Sequence, residues 1–300
     1  MGLCAHRVTK EVISMCALFS GRGAGETRMP AVAGMFYPNS PSSLEAMIDE
    51  FLANAEKRPI NGKLVALIVP HAGYMYSGQV AASAYKQIEG MKYDTVVLVG
   101  VSHRASIKGA SVYKSGKYET PLGAVEIDSD LAAELMDHDK IFGFQPGAHK
   151  IEHSLEVQIP FLQRILSGFR IVPVLMGYWS EATCSVVSNA LAEITDGKNV
   201  LLIASTDMSH YHPYDIAREM DNIAISSIQH MDTAELMANL DSHKCELCGA
   251  APVLLTMMTA RKLKANGVEI LKYANSGDVT GDTSGGVVGY FAAAIYREID

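Results

Sequence analysis

The sequence has little of what marks a specialised chain. Only five of its 300 residues are cysteine. An odd, sparse count excludes a disulfide-stapled secreted framework and suits a reducing compartment, so a cytoplasmic location is expected. No apolar run reaches the roughly 18 residues of a membrane span, so no membrane partner is expected. Basic residues are in the minority, 25 against 33 acidic ones, for a net charge of −8. That balance repels phosphate backbones and argues against nucleic acid as a partner. With 25 glycines, 11 prolines and 48% apolar residues, the chain is neither collagenous nor disordered. It has no internal repeat and no low-complexity linker.

What is present is enough apolar sequence for one large core. At this length folding hides roughly 75% of the unfolded surface, so no staple is needed. Residues 1–28 read as an extension outside the domain, disordered or an over-called start, with Met29 as an alternative start. Their apolar stretch, 13–19, is short for a signal core and lacks a clear cleavage site. Gly2 suits myristoylation, but His6 stands where Ser or Thr is needed. Residues 29–300 are expected to form a single domain.

The first clear helix follows Ser40-Pro41, with Leu44, Met47, Ile48, Phe51 and Leu52 at helical spacing. A recurring pattern comes next. Apolar runs at 64–69, 95–99 and 200–204 end in Pro70-His71-Ala72-Gly73, Gly100-Val101-Ser102-His103 and Ser205-Thr206-Asp207-Met208-Ser209-His210. Such runs are strands buried on both faces. A further strand is expected at 170–175. Helices are expected at 78–88, 129–136, 153–166, 181–194 and 250–265. Strand-like stretches at 269–275 and 286–296 should pair antiparallel at one side. The fold class is therefore α/β: one layered domain, with a mixed, mostly parallel sheet and helices on both faces.

Loops at the carboxyl ends of strands line the ligand crevice in such sheets. Three of the ten histidines, His71, His103 and His210, sit in these loops. Imidazole is both a common metal ligand and the usual base near neutral pH. Gly73 and Gly78, around Tyr74 and Tyr76, offer tight turns beside such a site. Cys248 stands just before an apolar helix, whose start favours a thiolate, the form that binds metal. With Cys245 it spells a lone CxxC, a weak zinc signal. His149-Lys150-Ile151-Glu152-His153 spells the inverted zinc-peptidase pattern, but no second helix offers the further carboxylate. The plainer reading of Glu152, His153 and Glu156 is a polar face near the pocket. Asp207 either orients a histidine or caps a turn. Met257 and Met258 read as core filler.

The order of these motifs resembles one family. Met29-Pro30-Ala31-Val32-Ala33-Gly34-Met35-Phe36-Tyr37-Pro38, Pro70-His71-Ala72-Gly73-Tyr74 with Tyr76-Ser77-Gly78, Ser102-His103, Glu152-His153-Ser154-Leu155-Glu156, the 205–210 segment and Cys248-Gly249 are similar to the Memo-like family. Its bacterial and archaeal members are named AmmeMemoRadiSam system protein B. The resemblance implies a fold similar to class III extradiol ring-cleaving dioxygenases, with a cysteine in place of their glutamate ligand. It implies one divalent metal, iron first and copper or zinc as alternatives, held by His71, His103 and Cys248. His210 matches the general base, with Asp207 beside it. Tyr74, Tyr76, Ser102, Glu152, His153 and Ser209 would line the pocket. A thiolate is softer and more oxidisable than a carboxylate, which weakens the ring-cleavage reading. The implied partners are a small-molecule or peptide ligand and radical-SAM and AMMECR-type proteins. A metal-dependent redox enzyme is the leading reading. A non-catalytic adaptor and a zinc hydrolase are the alternatives.

Overall fold

Four apolar, β-branched runs occupy the middle of the sheet, where helices cover both faces. The computed structural model describes residues 25–299. Most of the expected extension, residues 1–24, lies outside the described residues. The strands in chain order are β1 (Thr27–Arg28), β2 (Gly62–Val69), β3 (Thr95–Val101), β4 (Ala110–Val112), β5 (Lys117–Thr120), β6 (Gly123–Glu126), β7 (Phe142–Gly143), β8 (Arg170–Met176), β9 (Val200–Ser205), β10 (His210–His212), β11 (Gly267–Asn275) and β12 (Val287–Glu298). The helices are α1 (Pro41–Ala53), α2 (Tyr74–Tyr85), α3 (Ser129–His138), α4 (Pro146–Ile151), α5 (Ile159–Ile165), α6 (Glu181–Thr195), α7 (Tyr214–Gln229), α8 (Thr233–Asp241), α9 (Ala250–Lys262) and α10 (Ser276–Thr280).

The large sheet runs β10-β12-β2-β9-β3-β8-β4-β7, with β11 added on β12. Its centre, β2-β9-β3-β8, is all parallel. Its flanks are antiparallel, β12 on β2 and β4 on β8. The expected terminal pair is present, β11 against β12 from Gly267↔Tyr296 to Asn275↔Gly289. A small sheet, β1-β5-β6, stands apart. Helices α1, α2 and α5 pack as one group, and α3, α6, α8 and α9 as another. Among the described residues no helix is long and apolar enough to cross a membrane.

Three features differ from the sequence expectation. The domain starts before Met29: Thr27 and Arg28 pair with β5, and Arg28 is 3% exposed. The helix expected over 153–166 is broken into a 3₁₀ turn, Glu156–Gln158, and α5. Its first turn is lost because the Glu152 carboxylate accepts the amides of His153 and Ser154, both at 2.9 Å. Helices α7 and α8 were not anticipated. The buried stripe of α7 is Ala217, Asp221, Ala224, Ser227 and Ile228, too small and polar to give an apolar signal.

The fold positions the site through strand order. β9 lies between β2 and β3, and all three point the same way, so the segments after Val69, Val101 and Ser205 emerge side by side. The chain entering α9 returns to this edge. A Cβ on Gly249 would sit 2.3 Å from the Ser205 carbonyl oxygen, so only glycine allows that approach.

Candidate metal centre

Ligand-type atoms of His71, His103 and Cys248 lie within 4.8 Å of one another. Cys248 Sγ is 3.1 Å from His71 Nε2. The two imidazoles meet edge to face with ring centroids 5.1 Å apart. His71 is buried, Cys248 is half-buried and His103 reaches solvent, so the group opens on the His103 side.

Hydrogen bonds assign the tautomer of both rings. The Ser205 hydroxyl donates its one proton to the Ser154 carbonyl at 2.6 Å. It therefore accepts from His71 Nδ1 at 2.9 Å, and His71 Nε2 carries a free lone pair. Gln158 Nε2 also donates to that hydroxyl, at 2.9 Å. His103 Nδ1 donates to Glu152 Oε1 at 2.9 Å, which frees His103 Nε2 in the same way. Ring orientation by an outer partner on the second nitrogen is the usual support of a metal-binding imidazole.

Charge at the site follows burial. Burial, with help from His103 and His153, holds the His71 pKa well below the usual histidine value, so the ring is neutral. Burial would push Glu152 up, but hydrogen bonds from His103 and from backbone amides hold it down to about 2. Burial also raises Asp207, to about 6, against the opposing pull of the His71 amide. The Cys248 thiol is raised by burial and then by the Asp207 charge. These two effects oppose the thiolate form that the start of α9 was expected to favour. Cys248 would hold a divalent metal as the thiolate, giving up that proton.

Of the two roles open to Asp207, its hydrogen bonds match the capping of a turn rather than the orienting of the His210 ring. Its Oδ1 accepts the amides of His71 at 2.8 Å and Ala72 at 3.3 Å, and its own amide donates to Cys248 Sγ at 3.1 Å. It ties the His71 loop to Cys248. His210 is oriented instead by the Met208 carbonyl, which accepts from its Nδ1 at 2.7 Å. His210 is half-buried at the start of β10.

The expected pocket residues divide. His153 belongs to the site: its ring stacks on His103 at 4.7 Å and meets His71 edge-on at 5.4 Å. Its Nδ1 is 3.2 Å from Glu152 Oε1 but has no hydrogen-bond partner among the described residues, and burial lowers its pKa to about 4. Glu152 is buried beneath His103. Ser209 is buried, its amide donating to Asp221, its hydroxyl without a hydrogen-bond partner among the described residues. Ser102 donates to the Ala105 carbonyl and closes a turn. Tyr74 faces the core, its hydroxyl donating to the Val157 carbonyl at 2.6 Å and its ring packing on Phe161. Tyr76 is 37% exposed on α2. Gly78 serves helix packing, because a Cβ there would strike the Phe51 ring.

The inverted peptidase pattern dissolves. His149 is buried between Tyr118, at 2.7 Å from Nδ1, and Ser111, at 3.1 Å from Nε2, with neither nitrogen free for a metal. A second cluster, His103, Glu152 and His153, also has metal-type atoms close together. Glu152 Oε1 already accepts His103 Nδ1 and the amides of His153 and Ser154, and Oε2 accepts the His103 amide. Those oxygens serve His103 and are not free for an ion. Cys245 is 1% exposed in the core, and both it and Cys248 are free thiols. Sequence reasoning missed Ser205, Gln158 and the role of Glu152. No local pattern announces them, because each acts on a partner from a distant segment.

The metal implied by the resemblance fits this donor set. Two imidazoles whose Nδ1 atoms are committed to Ser205 and Glu152, leaving Nε2 to face an ion, and one thiol suit a divalent ion of borderline softness, and three ligands leave an open side.

Comparison with known proteins identifies the family. A family model described as Memo-like protein matches residues 28–294. The chain is 40% identical to a MEMO1 family protein of Methanothermobacter thermautotrophicus, over 88% of this chain and 98% of that one. It is 39% identical to one from Methanosarcina barkeri, over 89% and 99%. It is 38% identical to one from Aquifex aeolicus, over 86% and 95%. Matches of this extent, over the residues that build the centre, place the chain in the Memo-like family.

Proposed function

We propose that this protein is a metal-dependent enzyme in which His71, His103 and Cys248 hold one divalent metal with a side open to a small molecule. The observation behind this reading is the convergence of ligand atoms from separate segments to within 4.8 Å, each imidazole offering a free Nε2. When bound, the metal supplies Lewis acidity or electron transfer at that open side. Iron is the first candidate, with copper and zinc next.

The chain's own residues do the rest. His71 is buried and Cys248 half-buried on the inner side. His103 stands at the solvent edge, and Glu152 holds its ring. His210 commits Nδ1–H to the Met208 carbonyl, so its Nε2 is the atom that accepts or returns a proton. The thiolate favours redox or oxygen chemistry at a softer centre than the carboxylate of the dioxygenases this layout resembles. The cytoplasm is the compartment the sparse cysteines suit. Radical-SAM and AMMECR-type proteins are the partners the resemblance suggests.

Anaerobic purification followed by elemental analysis tests this, with a small-molecule screen on the loaded protein. Iron or copper near one per chain supports the redox reading. Redox-silent zinc at full occupancy would move it to a hydrolase. A chain that takes up no metal would overturn it in favour of a peptide- or metabolite-binding adaptor. His210→Ala should keep the metal and, once a turnover assay exists, lower kcat by about 10²–10⁴-fold.

A further inference from the structure

The most buried ion pair of the described residues lies outside the metal centre. Arg28 and Glu156 pair with side chains 1% and 0% exposed. Glu156 is fully satisfied: beyond Arg28 it accepts the Ala31 amide at 2.7 Å, the Val32 amide at 3.0 Å and the Tyr37 hydroxyl. Arg28 uses the rest of its fork on backbone. Its Nε donates to the His149 carbonyl at 3.0 Å and its Nη2 to the Glu152 carbonyl at 2.6 Å. Its guanidinium also lies over the Tyr118 ring, 5.1 Å from the centroid.

Those two carbonyls matter because of where they lie. Helix α4 ends at Ile151, and its last carbonyls have no partner within the helix. A guanidinium is the side chain best built to satisfy several of them at once. Glu152 is the next residue. Its backbone is held by Arg28, while its side chain accepts both the His103 amide and His103 Nδ1. One residue thus joins the N-terminal segment to the exposed metal-ligand imidazole. The path from Arg28 to the His71 ring is longer, running from Glu152 through Ser154 to the Ser205 hydroxyl, and the His71 amide is held separately by Asp207.

We infer that Arg28 is a positioning residue for the His103 arm of the centre, acting through the Glu152 backbone. The inference rests on the metal reading only for its consequence, the affinity of the site. A chain begun at Met29 would carry the buried Glu156 carboxylate without its cation and the end of α4 without its cap. Arg28 therefore belongs to the working protein.

The test is site-resolved amide hydrogen exchange on the metal-free full chain, wild type against Arg28→Ala and Arg28→Lys. In Arg28→Ala the amides of His103, His153 and Ser154 should exchange at least about 10-fold faster, while those of His71 and Ala72 keep their rates. Arg28→Lys keeps the charge for Glu156 but lacks the fork, so it should rescue only part of the protection. Zinc titration should then show an affinity about 10–100-fold lower in Arg28→Ala. Equal acceleration at both sets of amides would reduce Arg28 to a general structural role and overturn the inference, as would unchanged rates. If Arg28→Ala does not fold, Arg28→Lys decides the matter on the same two sets of amides. A wild-type chain that binds no zinc sinks the metal reading alone, because the exchange pattern is read without metal and still supports the positioning role.

Discussion

The two imidazoles of the candidate centre are held by opposite means. His71 is 2% exposed, its ring bonded to Ser205 on the central strand β9 and its amide to Asp207. The His103 side chain is 30% exposed and hangs on one carboxylate, Glu152, whose own backbone depends on Arg28. The carboxylates differ as well: burial raises Asp207 to about 6, whereas the N–H groups on Glu152 overcome burial and hold it at about 2. The His71 side is continuous with the folding core, so an ion held there would be coupled to the stability of the protein. The His103 side is a polar relay to the N-terminal segment, where affinity can change with little cost at the ring itself.

Several substitutions would break or sharpen that contrast. The largest effect is expected at the end of the relay. Arg28→Met leaves a buried carboxylate unpaired and should cost about 3–5 kcal/mol in urea unfolding. The ligands themselves come next. His71→Ala empties a buried position beside Ser205, at about 2–4 kcal/mol, whereas His103→Ala removes a more exposed ring and one N–H from the Glu152 carboxylate, which three amides still hold, and should cost less, although both lose the metal. Equal costs would erase the distinction between the sides. A smaller effect separates two serines at strand ends. Ser205→Ala should cost about 1–3 kcal/mol and lower metal affinity about 10–100-fold, because it strips His71 Nδ1 of its partner. Ser102→Ala, which loses only a turn bond to Ala105, should leave metal affinity unchanged.

The pH response adds a fourth check on the His103 side. Burial lowers the His149 pKa to about 3, against an ordinary value of 6.5. Below pH 6.5 the unfolded chain takes up a proton that the folded chain refuses. The contribution is therefore fully present above about pH 6.5 and is lost as pH falls toward 3. Between pH 7 and 4.5 it should remove about 2–3 kcal/mol, and His149→Gln should flatten that part of the curve. A curve of unchanged slope in the variant would assign the pH dependence to other groups.

The sequence made the centre of the fold legible because β2, β3, β8 and β9 are runs buried on both faces, and the loops that follow them announced His71, His103 and His210. Cys248 was legible from the start of α9 and Gly249. The supports were not. Glu152 and Glu156 have helical spacing, which suggested a polar face, yet their partners lie 49 residues away at His103 and 128 away at Arg28. Arg28 itself stood in a segment whose composition marks no element. Long-range polar pairs leave no periodicity, and a buried arginine reads like a surface one until its acceptors are in place. Helices α7 and α8 escaped for a related reason, since small and polar residues fill the buried face of α7.

The central claim is that one metal sits between His71, His103 and Cys248. Anaerobic cobalt(II) titration tests it most directly, because a thiolate ligand adds a sulfur-to-cobalt absorption band. The account predicts a band that saturates at one cobalt per chain, survives Cys245→Ser, whose side chain is buried in the core, and disappears in Cys248→Ser. A band that persists without the Cys248 thiol, or one lost equally in both serine variants, would contradict it.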